Sequence, residues 1–308
     1  MAAEHRILRY TRWLAQTRGL AFDPTTTNGY DALWRWSITD LRAFWQSIWD
    51  WHDVQSPTPH ETVLVEPVMP GARWFPGAQV NYVRQVLRHA DAAHAAGHPA
   101  IVFQDEAMHE RGEVGELTWP ELRDRVQSLA AELQAMGVRP GDRVAAILPN
   151  TPQAAIAFLA CASLGAVWSV CSPDMGPVAV LDRFRQIEPV VLIAVDGYRY
   201  GGVVHERAPV VASLVAQLPS LKHVVLATPL DASRDPAVVG APGVATHRWD
   251  TLLEGRRGRV EPRWVPFDHP LWIVYSSGTT GLPKCRPGCR RRGRWSCRAA
   301  ARSSGSST

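Results

Sequence analysis

Hydrophobic positions in the central part of the chain form two alternating patterns: short continuous apolar runs, and stretches with apolar residues three or four apart. The first pattern is typical of buried strands and the second of amphipathic helices. From about residue 100 they predict strand 100–103, helix 118–136, strand 143–148, helix 151–164, strand 166–170, helix 178–186, strand 190–195, helix 210–218 and strand 223–227. Apolar strands separated by helices indicate a parallel sheet that is covered on both faces. The predicted fold class is α/β, a mostly parallel sheet with helices on both faces.

Capping sequences predict where two of the helices begin. Thr118-Trp119-Pro120-Glu121 has the Thr and Glu spacing of a capping box. In the Trp-rich first hundred residues, Ser37-Ile38-Thr39-Asp40 predicts a helix whose first free N–H group is accepted by the Ser37 hydroxyl. The apolar residues that follow recur at helical spacing, and we expect them to pack in a core. They are Leu41, Phe44, Trp45, Ile48 and Trp49.

The pattern divides the chain into three regions. Residues 1–99 are only partly regular, residues 100–284 carry the alternation, and residues 285–308 have no apolar period. Within the second region, residues 229–265 are rich in Pro, Gly and Arg and predict a long surface connection with a short helix near 249–253. We expect two folded regions followed by a disordered tail.

The net charge of +4 is unevenly distributed. Residues 285–308 contain seven arginines and no acidic residue, whereas the rest of the chain has a small excess of acidic residues. A nucleic-acid partner would depend on the tail alone, and we expect none. The alternative, an Arg-tail nucleic-acid binder, predicts a salt-dependent DNA affinity that is lost with residues 285–308.

Compartment and membrane contact are indicated by three features. The beginning, Met-Ala-Ala-Glu-His-Arg, has charge where a secretory signal needs an apolar run. The uncharged stretch between Arg143 and Asp174 is broken by prolines and by Gly165, which leaves no piece long enough to span a membrane as one helix. Five cysteines, three of them in the tail, do not form a disulfide framework. We expect a cytoplasmic protein with no membrane partner.

A glycine- and hydroxyl-rich segment, Ser276–Lys284 (SSGTTGLPK), directly follows the apolar run Leu271–Tyr275, which predicts a buried strand. Gly278 and Gly281 let the backbone approach an anion, so that successive N–H groups can surround it. Four hydroxyls add donors, and Lys284 adds a positive charge. At the carboxyl end of a strand, the segment would face the crevice where open α/β sheets bind ligands. It differs from a Walker A loop, in which Lys directly follows the last Gly.

This segment resembles the phosphate loop of the adenylate-forming superfamily, which includes acyl-CoA synthetases, luciferases and peptide-synthetase adenylation domains. Leu148-Pro149-Asn150-Thr151-Pro152 and Gly165-Ala166-Val167-Trp168-Ser169 are similar to the early helix–strand region of that superfamily. The resemblance implies ATP with Mg²⁺ as a substrate, catalytic roles for Thr279 and Lys284, and no metal site made by the protein alone. The phosphate-binding residues that it implies are Ser276, Ser277, Gly278, Thr279, Thr280, Gly281 and Lys284.

A second implied site concerns CoA. Arg199, Gly201 and Gly202, with Tyr200 inserted, resemble an Arg-Gly-Gly-Lys/Arg stretch. In acetyl-CoA synthetases that stretch contacts the phosphates of CoA. Val203 stands where the relatives have the second basic residue. A glycine turn that follows a strand is an equally good interpretation of these residues.

Further segments resemble the acetyl- and acetoacetyl-CoA synthetase branch of the superfamily. They include Arg73-Trp74-Phe75-Pro76-Gly77-Ala78, Asn81-Tyr82, Asp196–Gly202 and Pro266–Trp272. The resemblance implies that residues 1–99 are the N-terminal cap region of that branch and that residues 100–284 are the first part of an AMP-binding (adenylation) domain. The implied activity is ligation of acetoacetate to CoA through an acyl-adenylate, with small-molecule partners only. Acetate, propionate or another short acid is the alternative substrate.

The resemblance stops after Lys284. We hypothesise that residues 285–308 are an out-of-frame translation, in which case this chain alone would have little or no ligase activity. The alternative function is that of a fragment that at most binds nucleotide. Cys285, Cys289 and Cys297 do not predict a zinc site, because zinc normally takes four ligands and the tail has no His.

Overall fold

The computed structural model describes residues 4–254, 257–275 and, as backbone, 285–287. The chain divides into two units, Met1–Val80 with Trp264–Asp268, and Asn81–Arg263 with His269–Thr308. In chain order the described elements are α1 (Arg6–Arg18), α2 (Thr27–Thr39), α3 (Leu41–Trp51), β1 (Gln79–Val80), α4 (Tyr82–Leu87), α5 (Ala90–Ala95), β2 (Ile101–Phe103), α6 (Glu106–Glu110), β3 (Gly115–Leu117), α7 (Trp119–Ala135), β4 (Arg143–Ile147), α8 (Pro152–Leu164), β5 (Val167–Cys171), α9 (Pro177–Ile187), β6 (Val191–Val195), β7 (Gly197–Tyr200), β8 (Val203–Glu206), α10 (Ala208–Val215), β9 (His223–Ala227), a 3₁₀ helix (Pro236–Val239), β10 (Ala245–Arg248), α11 (Trp249–Leu252), β11 (Val265–Pro266), β12 (Ile273–Tyr275) and β13 (Cys285–Pro287).

An aromatic cluster lies among the helices of the first unit. Tyr10 of α1 is buried, and the ring of Trp13 lies 5.5 Å from that of Trp51 in α3. The hydroxyl of Tyr10 forms a 2.6 Å hydrogen bond with buried Ser47. The apolar stripe predicted on α3 contributes to this packing, but its side chains are only partly buried, and Trp45 is 38% exposed.

The residue that caps α3 is Asp40. Its carboxylate accepts the backbone N–H of Ala43 at 3.0 Å. The prediction that Ser37 caps this helix is wrong, because α2 continues to Thr39 and the Ser37 hydroxyl instead donates to the carbonyl of Trp34. A hydroxyl inside a helix lies close to a backbone carbonyl of the preceding turn. The N–H groups that need an acceptor are those of the first turn of the next helix, α3.

The second unit is built on a five-stranded sheet with the strand order β10-β9-β6-β4-β5. All four ladders in it are parallel. Beyond β5 lies β12, where the N–H of Trp168 donates to the carbonyl of Leu271 at 3.1 Å and the Ser169 hydroxyl donates to the carbonyl of Ile273. The predicted α/β class with a parallel sheet is therefore confirmed.

Alternate residues of the central strands pack on opposite faces of the sheet. In β4, Val144 and Ala146 belong to a core that includes α7 and α8, whereas Ala145 and Ile147 belong to a core that includes α9 and α10. Because both sets are apolar, these strands appear in the sequence as continuous runs. The capping box of α7 is also formed, with Thr118 and Glu121 each accepting the other's backbone N–H.

Three predicted details differ from the structure. Residues 229–265 are not only a surface connection, since β10 pairs with β9 and extends the parallel sheet. The run Leu271–Tyr275 is not buried throughout: Ile273 is 9% exposed, but Trp272 is 49% and Val274 55% exposed. Alternate side chains of this strand point away from the core. Finally, the backbone of Cys285–Pro287 pairs antiparallel with β12, where no regular element was predicted.

None of the helices that the structure describes has both the length and the apolar composition needed to cross a membrane.

Candidate functional site

The strand order reverses next to β4. The strand that follows β4 in the chain, β5, lies on one side of it, and β6 lies on the other. Connections that leave such a point go to opposite faces of the sheet, which opens a crevice at the carboxyl ends of the strands where ligands bind. At this edge Asn150 and Thr151 follow β4, and Asp196 follows β6. The fold itself therefore indicates where a binding site should be sought.

A cavity of about 980 Å³ lies beside this edge, within the second unit. Its walls come from β2, the beginning of α8, β5 and β12, and they combine aromatic rings such as Phe158 and Trp272 with the polar Asn150 and Thr151. Arg183 of α9 also lines it. A mainly apolar cavity with a few polar groups and one cation suits a small organic acid or a nucleotide base.

Arg183 was not singled out as a site residue by the sequence. Its guanidinium lies 5.5 Å from the ring centre of Tyr275, and its backbone carbonyl accepts the Tyr275 hydroxyl at 2.8 Å. Tyr275 is the last described residue of β12 and directly precedes Ser276. The cation therefore lies at the carboxyl end of the strand that leads into the predicted phosphate loop.

The predicted phosphate-binding residues themselves lie outside the described residues. These are Ser276, Ser277, Gly278, Thr279, Thr280, Gly281 and Lys284. Their contacts, and the catalytic roles of Thr279 and Lys284, stay predictions.

The residues predicted to bind CoA lie together at the tip of a β-hairpin. Strands β7 and β8 pair antiparallel, and Gly201 and Gly202 form the turn with φ of 61° and 74°. A two-residue turn with positive φ at both positions matches the twist of the strands, and glycine adopts it without strain. The interpretation as a glycine turn is thus correct for the backbone. Arg199 is in β7, and Val203, at the position where the resemblance predicts a basic residue, is 57% exposed.

An acidic helix already binds this hairpin tip. The N–H groups of Gly201 and Gly202 donate to the two carboxylate oxygens of Glu106, at 2.5 and 3.0 Å. The Arg199 guanidinium donates to both oxygens of Glu110 at 3.2 and 3.1 Å. The N–H groups of Gly202 and Gly201, together with the nearby charge of Arg199, lower the pKa of Glu106, so its carboxyl is ionised at neutral pH.

Asp196 holds the base of the hairpin in place. Its side chain is fully buried and accepts the N–H groups of Leu230 and Asp231, each at 3.2 Å. Arg234 Nε lies 3.3 Å from one of its oxygens, and the same guanidinium binds Glu206 of β8. Burial raises the pKa of Asp196 despite these partners. The sequence signals for this residue were an acidic side chain directly after an apolar strand and its place at the start of the Asp196–Gly202 segment.

Two cysteines, which are potential nucleophiles, are accounted for by packing. Cys161 and Cys171 are buried free thiols. Burial raises the pKa of Cys171 to about 11 and that of Cys161 further, so neither is a thiolate nucleophile at neutral pH. Among the residues that the structure describes, no group of three or more His, Cys, Asp and Glu side chains could hold a metal ion.

Comparison with known proteins defines the class. The sequence profile of the AMP-binding enzyme family matches residues 87–286, and that of the acetyl-coenzyme A synthetase N-terminus matches residues 30–86. The chain belongs to the AMP-binding enzyme family.

Within that class the chain is similar to acetoacetyl-CoA synthetases. The protein of Rhizobium meliloti (strain 1021) is 38% identical over 259 residues, which are 83% of this chain and 37% of that protein. The solved structure of acetoacetyl-CoA synthetase from Streptomyces lividans matches with a TM-score of 0.80 and 48% identity, over 92% of this chain and 41% of that one. A malonamoyl-CoA synthetase of Penicillium aethiopicum is 33% identical over 261 residues, 83% of this chain and 36% of that protein. The chain thus spans about two fifths of the length of these relatives.

Proposed function

We propose that this chain is part of an ATP-dependent acid–CoA ligase that activates acetoacetate. The reaction would have two steps. The carboxylate attacks the α-phosphorus of ATP·Mg²⁺ and releases pyrophosphate, and the thiolate of CoA then attacks the acyl carbon of the acyl-adenylate and releases AMP. ATP, Mg²⁺ and CoA would be the only partners required besides the acid.

The observation that carries the proposal is the position of β12. This strand continues the sheet beside β5, and its carboxyl end, at Tyr275, borders the cavity that Arg183 also lines. The next residues in the chain are the glycine- and hydroxyl-rich segment that ends in Lys284. Backbone N–H groups, hydroxyls and an ammonium group are the donors that stabilise charge on a polyphosphate during such a displacement.

We assign roles within that segment as follows. Ser276, Ser277, Gly278, Thr280 and Gly281 would bind the β- and γ-phosphates, and Thr279 and Lys284 would in addition stabilise the transition state. Arg199, Gly201 and Gly202 would bind a phosphate of CoA. The cavity beside β5 and β12 would then receive the part of the substrates that is not phosphate.

The acid is proposed from the chemistry that the relatives' names share. Acetoacetate and malonamate are both short carboxylates with a carbonyl group at position 3. We therefore propose short carboxylic acids with a carbonyl group at position 3, such as a 3-oxo acid or the monoamide of malonic acid, as the substrate class, with acetoacetate first. Acetate and propionate lack that carbonyl and would be poorer substrates. We further propose a cytoplasmic location, because the buried free thiols of Cys161 and Cys171 suit a reducing compartment.

The test uses the two lysines of the sequence, Lys284 and Lys222. Lys222 is exposed and directly precedes β9, at the opposite end of the sheet from the crevice, which makes Lys222→Ala a matched control. We expect the chain to bind ATP·Mg²⁺ in calorimetry, Lys284→Ala to weaken binding roughly tenfold as a charge-assisted contact is lost, and Lys222→Ala to leave it unchanged. Equal affinity in all three proteins would contradict the assignment of Lys284.

Turnover is tested in a chimera. Residues 1–284 would replace the matching part of the Streptomyces lividans enzyme. We expect acetoacetate-dependent exchange of pyrophosphate into ATP, lower exchange with acetate, and a loss of exchange with Lys284→Ala but not with Lys222→Ala. A folded chimera that binds ATP·Mg²⁺ without exchange would favour a nucleotide-binding module over a ligase.

A further inference from the structure

Each of the three residues proposed to bind a CoA phosphate has a carboxylate of α6 as its partner. The Glu106 carboxylate accepts hydrogen bonds from both turn N–H groups, and the Glu110 carboxylate accepts hydrogen bonds from the Arg199 guanidinium. The two acidic residues are four positions apart, which places them on the same face of a helix. One short helix therefore accepts hydrogen bonds from all three residues that are proposed to bind CoA.

The geometry of the Glu106 contact is that of an occupied anion site. One planar group presents two oxygens to two N–H groups of consecutive glycines, an arrangement in which phosphate oxygens are also bound by proteins. The Arg199–Glu110 pair is two-pronged, as guanidinium pairs with phosphate also are. Two carboxylates face one guanidinium, so an incoming phosphate would meet net negative charge.

Helix α6 can leave this position at little cost to the core. None of its residues, Glu106–Glu110, is buried. It lies in the connection between β2 and β3, which form a separate two-stranded sheet among the strands that the structure describes. Displacing α6 would therefore break surface contacts without exposing a core face.

We infer that α6 closes the CoA site from within, and that a phosphate of CoA binds by displacing the carboxylates of Glu106 and Glu110. This inference rests on the proposed role of the hairpin in CoA binding. The group displaced is an oxyanion and the incoming ligand is a phosphate, either the ribose 3′-phosphate or the diphosphate of CoA. The same helix thereby sets the affinity for CoA, because every binding event must first remove an internal competitor.

The alternative is that α6 only holds the hairpin in shape. The two interpretations predict opposite effects of neutralising Glu106. If α6 competes, Glu106→Gln increases the affinity for CoA, whereas if it only supports the turn, the same change leaves the affinity equal or lowers it. Glu113→Gln is the matched control, since one carboxylate oxygen of Glu113 accepts two hydrogen bonds from the Arg111 guanidinium close to α6, and none of its hydrogen bonds goes to the hairpin.

The experiment is a titration of the 308-residue chain with CoA, followed by the amide resonances of Gly201 and Gly202. We expect the dissociation constant to fall roughly fivefold with Glu106→Gln, further with Glu106→Gln/Glu110→Gln, and not with Glu113→Gln. In the unmodified chain, CoA should move the two amide resonances and the carboxyl ¹³C resonance of Glu106 together. Titration with dephospho-CoA identifies the phosphate: a gain that persists points to the diphosphate, and a gain that disappears points to the 3′-phosphate.

Equal or weaker CoA affinity in the Glu106 variants, with the amides of Gly201 and Gly202 still responding to CoA, overturns this inference alone. If CoA moves those amides in none of the proteins, the inference falls together with the proposed CoA site. ATP·Mg²⁺ binding measured on the same samples is independent of the hairpin. It shows whether the ligase proposal survives.

Discussion

Arg183 and Tyr275 contact each other twice. The Tyr275 hydroxyl donates to the Arg183 carbonyl at 2.8 Å, and the Arg183 guanidinium lies 5.5 Å from the centre of the Tyr275 ring. One residue belongs to α9 and the other to β12, so the pair attaches the short strand β12 to the helix beside it. The strand that precedes the predicted phosphate loop is thus fixed by a helix as well as by β5.

Tyr275→Phe is expected to lower the free energy of unfolding by about 1 kcal/mol, because it removes the hydroxyl and leaves the carbonyl of Arg183 without that donor. Urea denaturation followed by fluorescence would measure it. Tyr200→Phe is the control, since Tyr200 is 72% exposed at the hairpin tip. Identical losses in both variants would show that the Tyr275 hydroxyl contributes nothing specific.

Asp196→Asn should destabilise the second unit by about 2 kcal/mol, because the amide of Asn would direct a donor at N–H groups that now donate to a buried carboxylate. The resonances of the β7–β8 hairpin should shift with it, since Arg234 joins Asp196 to Glu206. The exposed Asp250 gives the control, Asp250→Asn. An unchanged hairpin spectrum in Asp196→Asn would remove the positioning role of this residue.

Asn81→Ala is expected to cost about 3 kcal/mol, because the three hydrogen bonds of a buried side chain are lost together. The Asn81 amide donates to the carbonyls of Ala162 and Arg263 at 2.9 and 2.7 Å, and its oxygen accepts the N–H of Val83 at 2.9 Å. Thermal and urea unfolding of the variant would measure the loss. Asn28→Ala, at an exposed position of α2, should change stability by less than about 0.5 kcal/mol.

Stability should fall as the solution becomes acidic. Nδ1 of His223 and Nε2 of His247 are 3.1 Å apart, and burial lowers the pKa of both side chains. An imidazole whose pKa is lower in the folded chain than its unfolded value of about 6.5 stabilises the fold above that value, and this contribution is lost as pH falls below it. We expect His247→Gln to reduce the slope of unfolding free energy between about pH 7 and pH 5, and His94→Gln, at an exposed position, to leave it unchanged. A slope that is the same in all three proteins would contradict this origin.

The sequence predicted the parallel sheet well because its strands are buried on both faces, so that β4, β6 and β9 appear as apolar runs. It did not predict β10, because Ala245–Arg248 forms the other edge of the sheet with partly exposed side chains and no apolar run. Ser37 was preferred to Asp40 as a cap because both residue types cap helices, and only the length of α2 decides between them.

Prediction of the candidate site was limited by distance along the chain. Arg199, Gly201 and Gly202 could be found because they are adjacent in sequence and match a motif. Their partners could not, since Glu106 is 95 positions from Gly201 and Glu110 is 89 positions from Arg199. Nothing in the local sequence of α6 distinguishes it from an ordinary exposed acidic helix.

The ladder order of the five-stranded sheet also bears on how the protein is made. Every pairing joins strands that are close together in the chain, and β4, the first of the five to be synthesised, pairs with the next two. The β4–β5 and β9–β10 ladders each close across one intervening helix, and the β4–β6 and β6–β9 ladders across three intervening elements, so no ladder waits for a distant part of the chain. Once α11 has left the ribosome, the nascent polypeptide already contains a complete layered nucleus, on which β12 can dock when it is synthesised.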